Sequence, residues 1–180
     1  MHDIGAYKTE RGRMNDVLRF ENRDTKAHTI YGYLFFRYLS PVPDLAKVIM
    51  YHHMDYDQLE KVDYPYKEIA GYINLAEQMD IYSSAMGEKF EMRMFQKLSG
   101  TKLSAAGLEK FYQCQAKYDI FGKIRSGEYK EELSQIVDYM IYSNEDKKKF
   151  LEMLMYCMGF TSEAMVLDTI TTVCICEELE

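Results

Sequence analysis

Only three prolines interrupt this chain of 180 residues, at positions 41, 43 and 65, and between them apolar residues recur three and four positions apart. Proline ends helices because it lacks a backbone N–H and clashes with the preceding turn. Few prolines, helical spacing of the apolar residues and no alternation of the strand type predict a chain of packed helices. The segment HTIYGYLFFRYL (28–39) places Ile30, Leu34 and Phe35 on one helical face, extended by Tyr31, Tyr38 and Leu39. Ser40, Pro41 and Pro43 break it, and Asp44 stands where an N-cap for LAKVIMYHHM (45–54) belongs. A polar stretch separates that run from YKEIAGYINLAEQMDIYSSAM (66–86), and further helices are predicted over 88–97, 104–117, 128–141 and 145–157. Asn144, Glu145 and Asp146 suit the start of the last of these, since acidic side chains favour a first turn. The expected fold class is all-α, with the tyrosines and methionines at helical spacing read as core.

Charge narrows the function. A formal net charge of −7 argues against a surface that tracks DNA or RNA phosphates, although a small phosphorylated ligand needs only a local cluster of cations. The four cysteines, Cys114, Cys157, Cys174 and Cys176, have no metal-binding spacing and lie in apolar stretches, which reads as buried reduced thiols. No apolar run approaches the roughly 20 residues that span a bilayer. Met1 is followed by His2 and Asp3 rather than by a basic flank and an apolar core, so no signal peptide is read and a cytoplasmic protein without membrane contact is expected.

The four histidines stand at positions 2, 28, 52 and 53. His2 adjoins Asp3, His28 opens a helix, and His52 and His53 close an apolar one. Downstream, Glu77 and Asp80 lie three apart on one face of an otherwise apolar segment, where a carboxylate is costly unless it is paired or bound to metal. Imidazole with carboxylate and no thiolate suits iron, manganese, zinc or nickel. Neighbouring helical residues point about 100° apart, so His52 and His53 are expected to serve adjacent ions in a multinuclear site rather than share one. Such a site generates hydroxide near neutral pH, a good attacker of phosphorus.

This order of residues resembles the HD superfamily of metal-dependent phosphohydrolases, in its HD-GYP branch. That branch reads HDIGK, then H-(P/S/T)-x-x-G, then YHHE-x-x-DG-x-GYP, then ADVFDAL. The present chain has HDIGA (2–6), HTIYG (28–32), YHHMDYD (51–57) and LAEQMDIY (75–82) in the same order, and LSGTKLS (98–104) is similar to the segment opening the family's last helix. The resemblance covers residues 1–115. It implies an HD-type helical bundle holding two or more divalent ions, iron or manganese, and hydrolysis of a cyclic dinucleotide, cyclic di-GMP, or another phosphoester. It further implies His2, Asp3, His28, His52, His53 and Glu77 as metal ligands, with Asp3 bridging two ions and orienting the attacking water. Asp80 matches a second acidic position of structural character.

Departures from the pattern fall on the substrate side. Ala6 replaces the lysine that meets a substrate phosphate, leaving Lys8 and Arg11, with Arg13, as the nearby candidates for substrate binding. The GYP motif is absent, and Gly71 stands where the family has an arginine. In the family, HD closes a helix preceded by a long segment that carries another ligand. Gly159 to Glu163, followed by Asp168 and Thr169, resembles that preceding segment, so the expected organisation is an HD-like unit over 1–117, a helical connector over 118–157, and over 158–180 either the start of a second HD-like unit or a replacement first helix. A homodimer or an adjoining HD-like domain is expected as partner. The competing reading is a non-catalytic HD-like signalling or scaffolding module.

Overall fold

The computed structural model describes residues 2–5, 25–139 and 143–159, with 168, 171, 172 and 175. The described residues are mostly helical, with no strand among them, so the fold is all-α. Helix α1 (Thr25–Leu39) ends where Ser40 Oγ donates to the Phe36 carbonyl at 2.7 Å and accepts from the Val42 N–H at 3.2 Å. A 3-10 turn, Pro43–Leu45, then runs straight into α2 (Ala46–Tyr51). Asp44 therefore does not cap α2 as expected. It is exposed within the turn, whose own bonds, such as the Leu45 N–H to the Val42 carbonyl, satisfy donors that a cap would otherwise serve.

A short α3 (Tyr56–Leu59) leads to the long α4 (Lys67–Met86). The helix predicted over 88–97 is instead two 3-10 segments, Gly87–Lys89 and Met92–Leu98, separated by extended Phe90 and Glu91. Gly87, with a φ of 53°, breaks the α-helical run. Ser104 caps α5 (Ala105–Tyr118) by accepting the Gly107 N–H at 3.1 Å. Asp119 caps α6 (Ile120–Ser126), a helix the periodicity did not indicate. Helix α7 (Tyr129–Tyr139) follows, and α8 (Asn144–Gly159) begins at a reciprocal cap in which Ser143 Oγ accepts the Asp146 N–H and the Asp146 carboxylate accepts the Ser143 N–H. Cys114, expected to be buried, is an exposed free thiol on α5.

Three apolar clusters hold these elements. Ile4, Phe35, Phe36, Ala46, Ile49 and Met153 join the turn at 2–5 to α1, α2 and α8. Val48, Leu59, Tyr64 and Ala70 tie α2 and α3 to α4, and Leu75, Met79, Phe95, Leu103 and Leu108 tie α4 to the 92–98 segment and α5. Met153, fully buried, is the anchor of α8 on α1, a burial that stabilises by about 1.5–3 kcal/mol. Residues 158–180, assigned from the sequence to a further unit or a replacement helix, lie mostly outside the described residues.

The seating of α1 decides where His28 points. Ile30, expected in the core, is 49% exposed, while Thr29, Phe35 and Phe36 are buried. The cause is close approach at two glycines: a Cβ on Gly5 would fall 2.0 Å from the His28 carbonyl oxygen, and one on Gly32 would fall 2.6 Å from Ile49 Cγ2. The 2–5 turn thus lies on bare α1 backbone, and α1 is rotated so that its 28–32–35 side faces the turn and α2. Gly5→Ala is expected to lever the turn off α1 and cost about 1–3 kcal/mol in urea denaturation. Gly32→Ala is expected to cost a similar amount, because the obstructing Cγ2 belongs to a buried β-branched isoleucine whose χ1 is held on its helix.

Candidate metal centre

Four segments deliver six side chains to one place. The 2–5 turn carries His2 and Asp3, held down by Ile4, which is 3% exposed in the core. His28 comes from the first turn of α1. His52 and His53 occupy the turn that ends α2, and Glu77 projects from the middle of α4.

The Asp3 carboxylate lies at the junction of two donor sets. Its Oδ1 is 3.5 Å from His28 Nε2 and 3.6 Å from His52 Nε2, while its Oδ2 is 3.0 Å from His2 Nε2. His28 Nε2 and His53 Nε2 are 2.9 Å apart. Ligand atoms of Asp3, His28, His52 and His53 all lie within 4.8 Å of one another, and those of His2, Asp3 and Glu77 form a second such group. His2 Nε2 donates to Glu77 Oε1 at 3.2 Å, and Glu77 Oε2 is 3.5 Å from His53 Nδ1. The expectation that His52 and His53 serve different ions does not describe this arrangement, since both belong to the first group. The α-helix stops at Tyr51, and in the turn that follows the two rings come to 4.1 Å between centroids, tilted by 40°.

Two buried atoms in this cluster have no hydrogen-bond partner: His52 Nε2 and Glu77 Oε2. His52 is fully buried, and its Nδ1–H donates to the Ile49 carbonyl at 2.6 Å. That bond fixes the tautomer and leaves the Nε2 lone pair aimed into the cluster, the arrangement by which metal-ligating histidines are oriented. An unpartnered buried acceptor costs about 1–3 kcal/mol, which a coordinated cation would offset. Separations near 3–3.6 Å also match the edges of a coordination sphere with bonds of about 2.0–2.2 Å. The residues present fit a divalent metal, with one set rich in nitrogen and the other rich in oxygen.

Electrostatics prepare most donors for that role. Burial holds His28 below its ordinary value and pushes His53 down to about 4, so both rings are neutral at pH 7. Burial alone would raise the Asp3 carboxyl, but the hydrogen bond and charge of His2 outweigh it and keep Asp3 far below the usual carboxylate range. His2, bonded to Asp3 and Glu77, is raised to about 9.

These shifts set a pH optimum for the metal-free protein. His28 and His53 bind protons more readily when unfolded, so stability falls as pH drops below 6.5 toward 4. His2 holds its proton more tightly when folded, so its contribution is complete below 6.5 and is lost as pH rises through 9. Urea denaturation of the stripped protein is expected to peak near pH 6.5. With metal, the optimum moves to higher pH, because the ion replaces the proton on His2.

Asp80, one turn beyond Glu77, is exposed and outside the cluster. Lys8 and Arg11, the expected substrate-binding cations, and Ala6 and Arg13 beside them lie outside the described residues. Among the described residues no lysine or arginine pairs with a cluster ligand. One buried polar neighbour escaped the sequence reading: Asn74, 7% exposed and one turn before Glu77. Its signal was a second polar residue at helical spacing in the apolar run INLAEQMD. No known family model, curated protein or solved structure matches the chain.

Proposed function

We propose that the chain is a divergent HD-GYP-type phosphohydrolase, using iron or manganese to cleave a phosphodiester of the cyclic dinucleotide class, with cyclic di-GMP as first candidate. The observation that carries this reading is the convergence of His2, Asp3, His28, His52, His53 and Glu77 around the unpartnered buried Nε2 of His52. His28, His52 and His53 would hold one ion and His2 and Glu77 a second, with one Asp3 oxygen directed to each set. Bound divalent ions acidify a water toward neutral pH and stabilise charge on phosphoryl oxygens.

The chain's own residues account for the rest. Asp3 stays ionised and, 41% exposed on its solvent side, can accept a hydrogen bond from a water and orient it. The neutral His28 and His53 bring lone pairs rather than protons. Burial of His52 and the partial burial of Glu77 keep bulk water from the inner wall, which strengthens each charge interaction there.

Metal binding without turnover is the second reading, favoured by Ala6 and Gly71, which stand where the resembled family carries lysine and arginine. Hydrolysis of bis-p-nitrophenyl phosphate and of cyclic di-GMP by manganese- or iron-loaded protein separates the two. Product formation abolished by chelation supports the hydrolase. A loaded protein that cleaves neither compound leaves the binding module.

A further inference from the structure

The turn bearing His52 and His53 ends a helix, and a helix end exposes carbonyls without intrahelical partners. His52 Nδ1 answers this need at the Ile49 carbonyl, and just past the turn Asn74 Nδ2 donates to the Met54 carbonyl at 3.2 Å. Met54 directly follows His53, and its own N–H closes the turn on the Tyr51 carbonyl at 2.9 Å. Asn74 sits on α4 one turn before Glu77, so the two share a helical face. A buried amide therefore adds a polar tie between the turn that presents His53 and the helix that presents Glu77, beside the apolar cluster of Val48, Leu59, Tyr64 and Ala70.

We propose that Asn74 is a positioning residue of the metal centre, holding His53 in register with Glu77 and His28. The inference rests on the metal-centre reading and adds to it a residue that touches no ligand atom. The placement has a chemical reason. His52 is anchored through its own ring, but both nitrogens of His53 face other donors, Nε2 toward His28 and Nδ1 toward Glu77. The ring of His53 thus has no bond of its own to the backbone, and its position depends on the turn. Asparagine suits the task because its amide donates to a carbonyl and is neutral. A lysine there would bring a cation beside the ions, and a leucine would leave the Met54 carbonyl unmatched.

The test is titration of the metal-stripped 180-residue chain with cobalt(II), followed by visible absorption, in wild type, Asn74→Leu and Asn74→Asp. Leucine is close to asparagine in size and cannot donate. Aspartate is nearly isosteric, and its carboxylate cannot donate either, but its charge by itself favours a cation. The expected result is about tenfold weaker cobalt binding with an altered ligand-field spectrum in both variants. Weakened binding in Asn74→Asp is the more telling outcome, since it opposes the electrostatic gain and does not depend on Asn74→Leu folding. Wild-type affinity and spectrum in a folded Asn74→Asp protein overturn the positioning role and leave the metal centre standing. A wild type that binds no cobalt removes both.

Discussion

Asp3→Ala protein, purified anaerobically beside the wild type, is expected to carry almost no iron or manganese, where the wild type carries about one to two ions per chain. Asp3 has one carboxylate oxygen directed at His28 and His52 and the other at His2, so a single truncation removes an oxygen from both donor sets. What remains is three imidazoles on one side, and one imidazole with Glu77 on the other. The loss of affinity should exceed the 10- to 100-fold typical of removing a supporting partner (about that range in other metal sites). Hydrolysis, where present, should fall to background. Because the side chain is 41% exposed and lies on a turn, helical content by circular dichroism should not change. Elemental analysis equal to wild type would take Asp3 out of the centre and, with it, the basis for the hydrolase.

The second large effect concerns stability. An ion that binds only the folded chain at 100 times its dissociation constant adds about 2.7 kcal/mol. For a chain of this size each kcal/mol is worth about 2–4 °C, so chelation of the loaded wild type should lower the melting temperature by about 5–11 °C. Asp3→Ala should show no such shift. Loading should also proceed in two steps, because the sets differ in chemistry. His28, His52 and His53 form a mostly buried nitrogen-rich group that suits a borderline ion, whereas His2 and Glu77 form a more open, oxygen-rich one that must first give up the His2 proton. Calorimetric titration that shows a single class of sites would argue against unequal halves.

Much of this was legible in the residues and some was not. Helical class followed from spacing and scarce proline, because a 3.6-residue period needs nothing beyond the local sequence. The ligand types were legible because histidine and buried carboxylate have few uses inside an apolar helix. Their geometry was not. The 100° separation of His52 and His53 assumes an ideal helix, and the helix ends at Tyr51, before either of them. Ile30 misled for a related reason: an apolar stripe shows that a face is buried, but α1 is turned by the absence of side chains at Gly5 and Gly32. The α-helical reading of 88–97 failed where Gly87 takes a positive φ and two extended residues intervene. Asp44 looked like a cap and was displaced by a 3-10 turn that served the same donors. In each case the deciding contact comes from elsewhere in the chain or from a backbone state that residue type does not specify.

The hydrogen bond between His2 and Glu77 joins residues 75 positions apart. Nothing local brings these ends together, so the complete pocket exists only after α1, α2 and α4 have packed. An ion therefore finds no preformed grip on the unfolded chain and has little to offer the transition state if the 2–5 turn docks late. In kinetic terms the metal should act as a latch rather than a nucleus: folding rates stay near those of the stripped protein, while unfolding slows by the full measure of the binding energy.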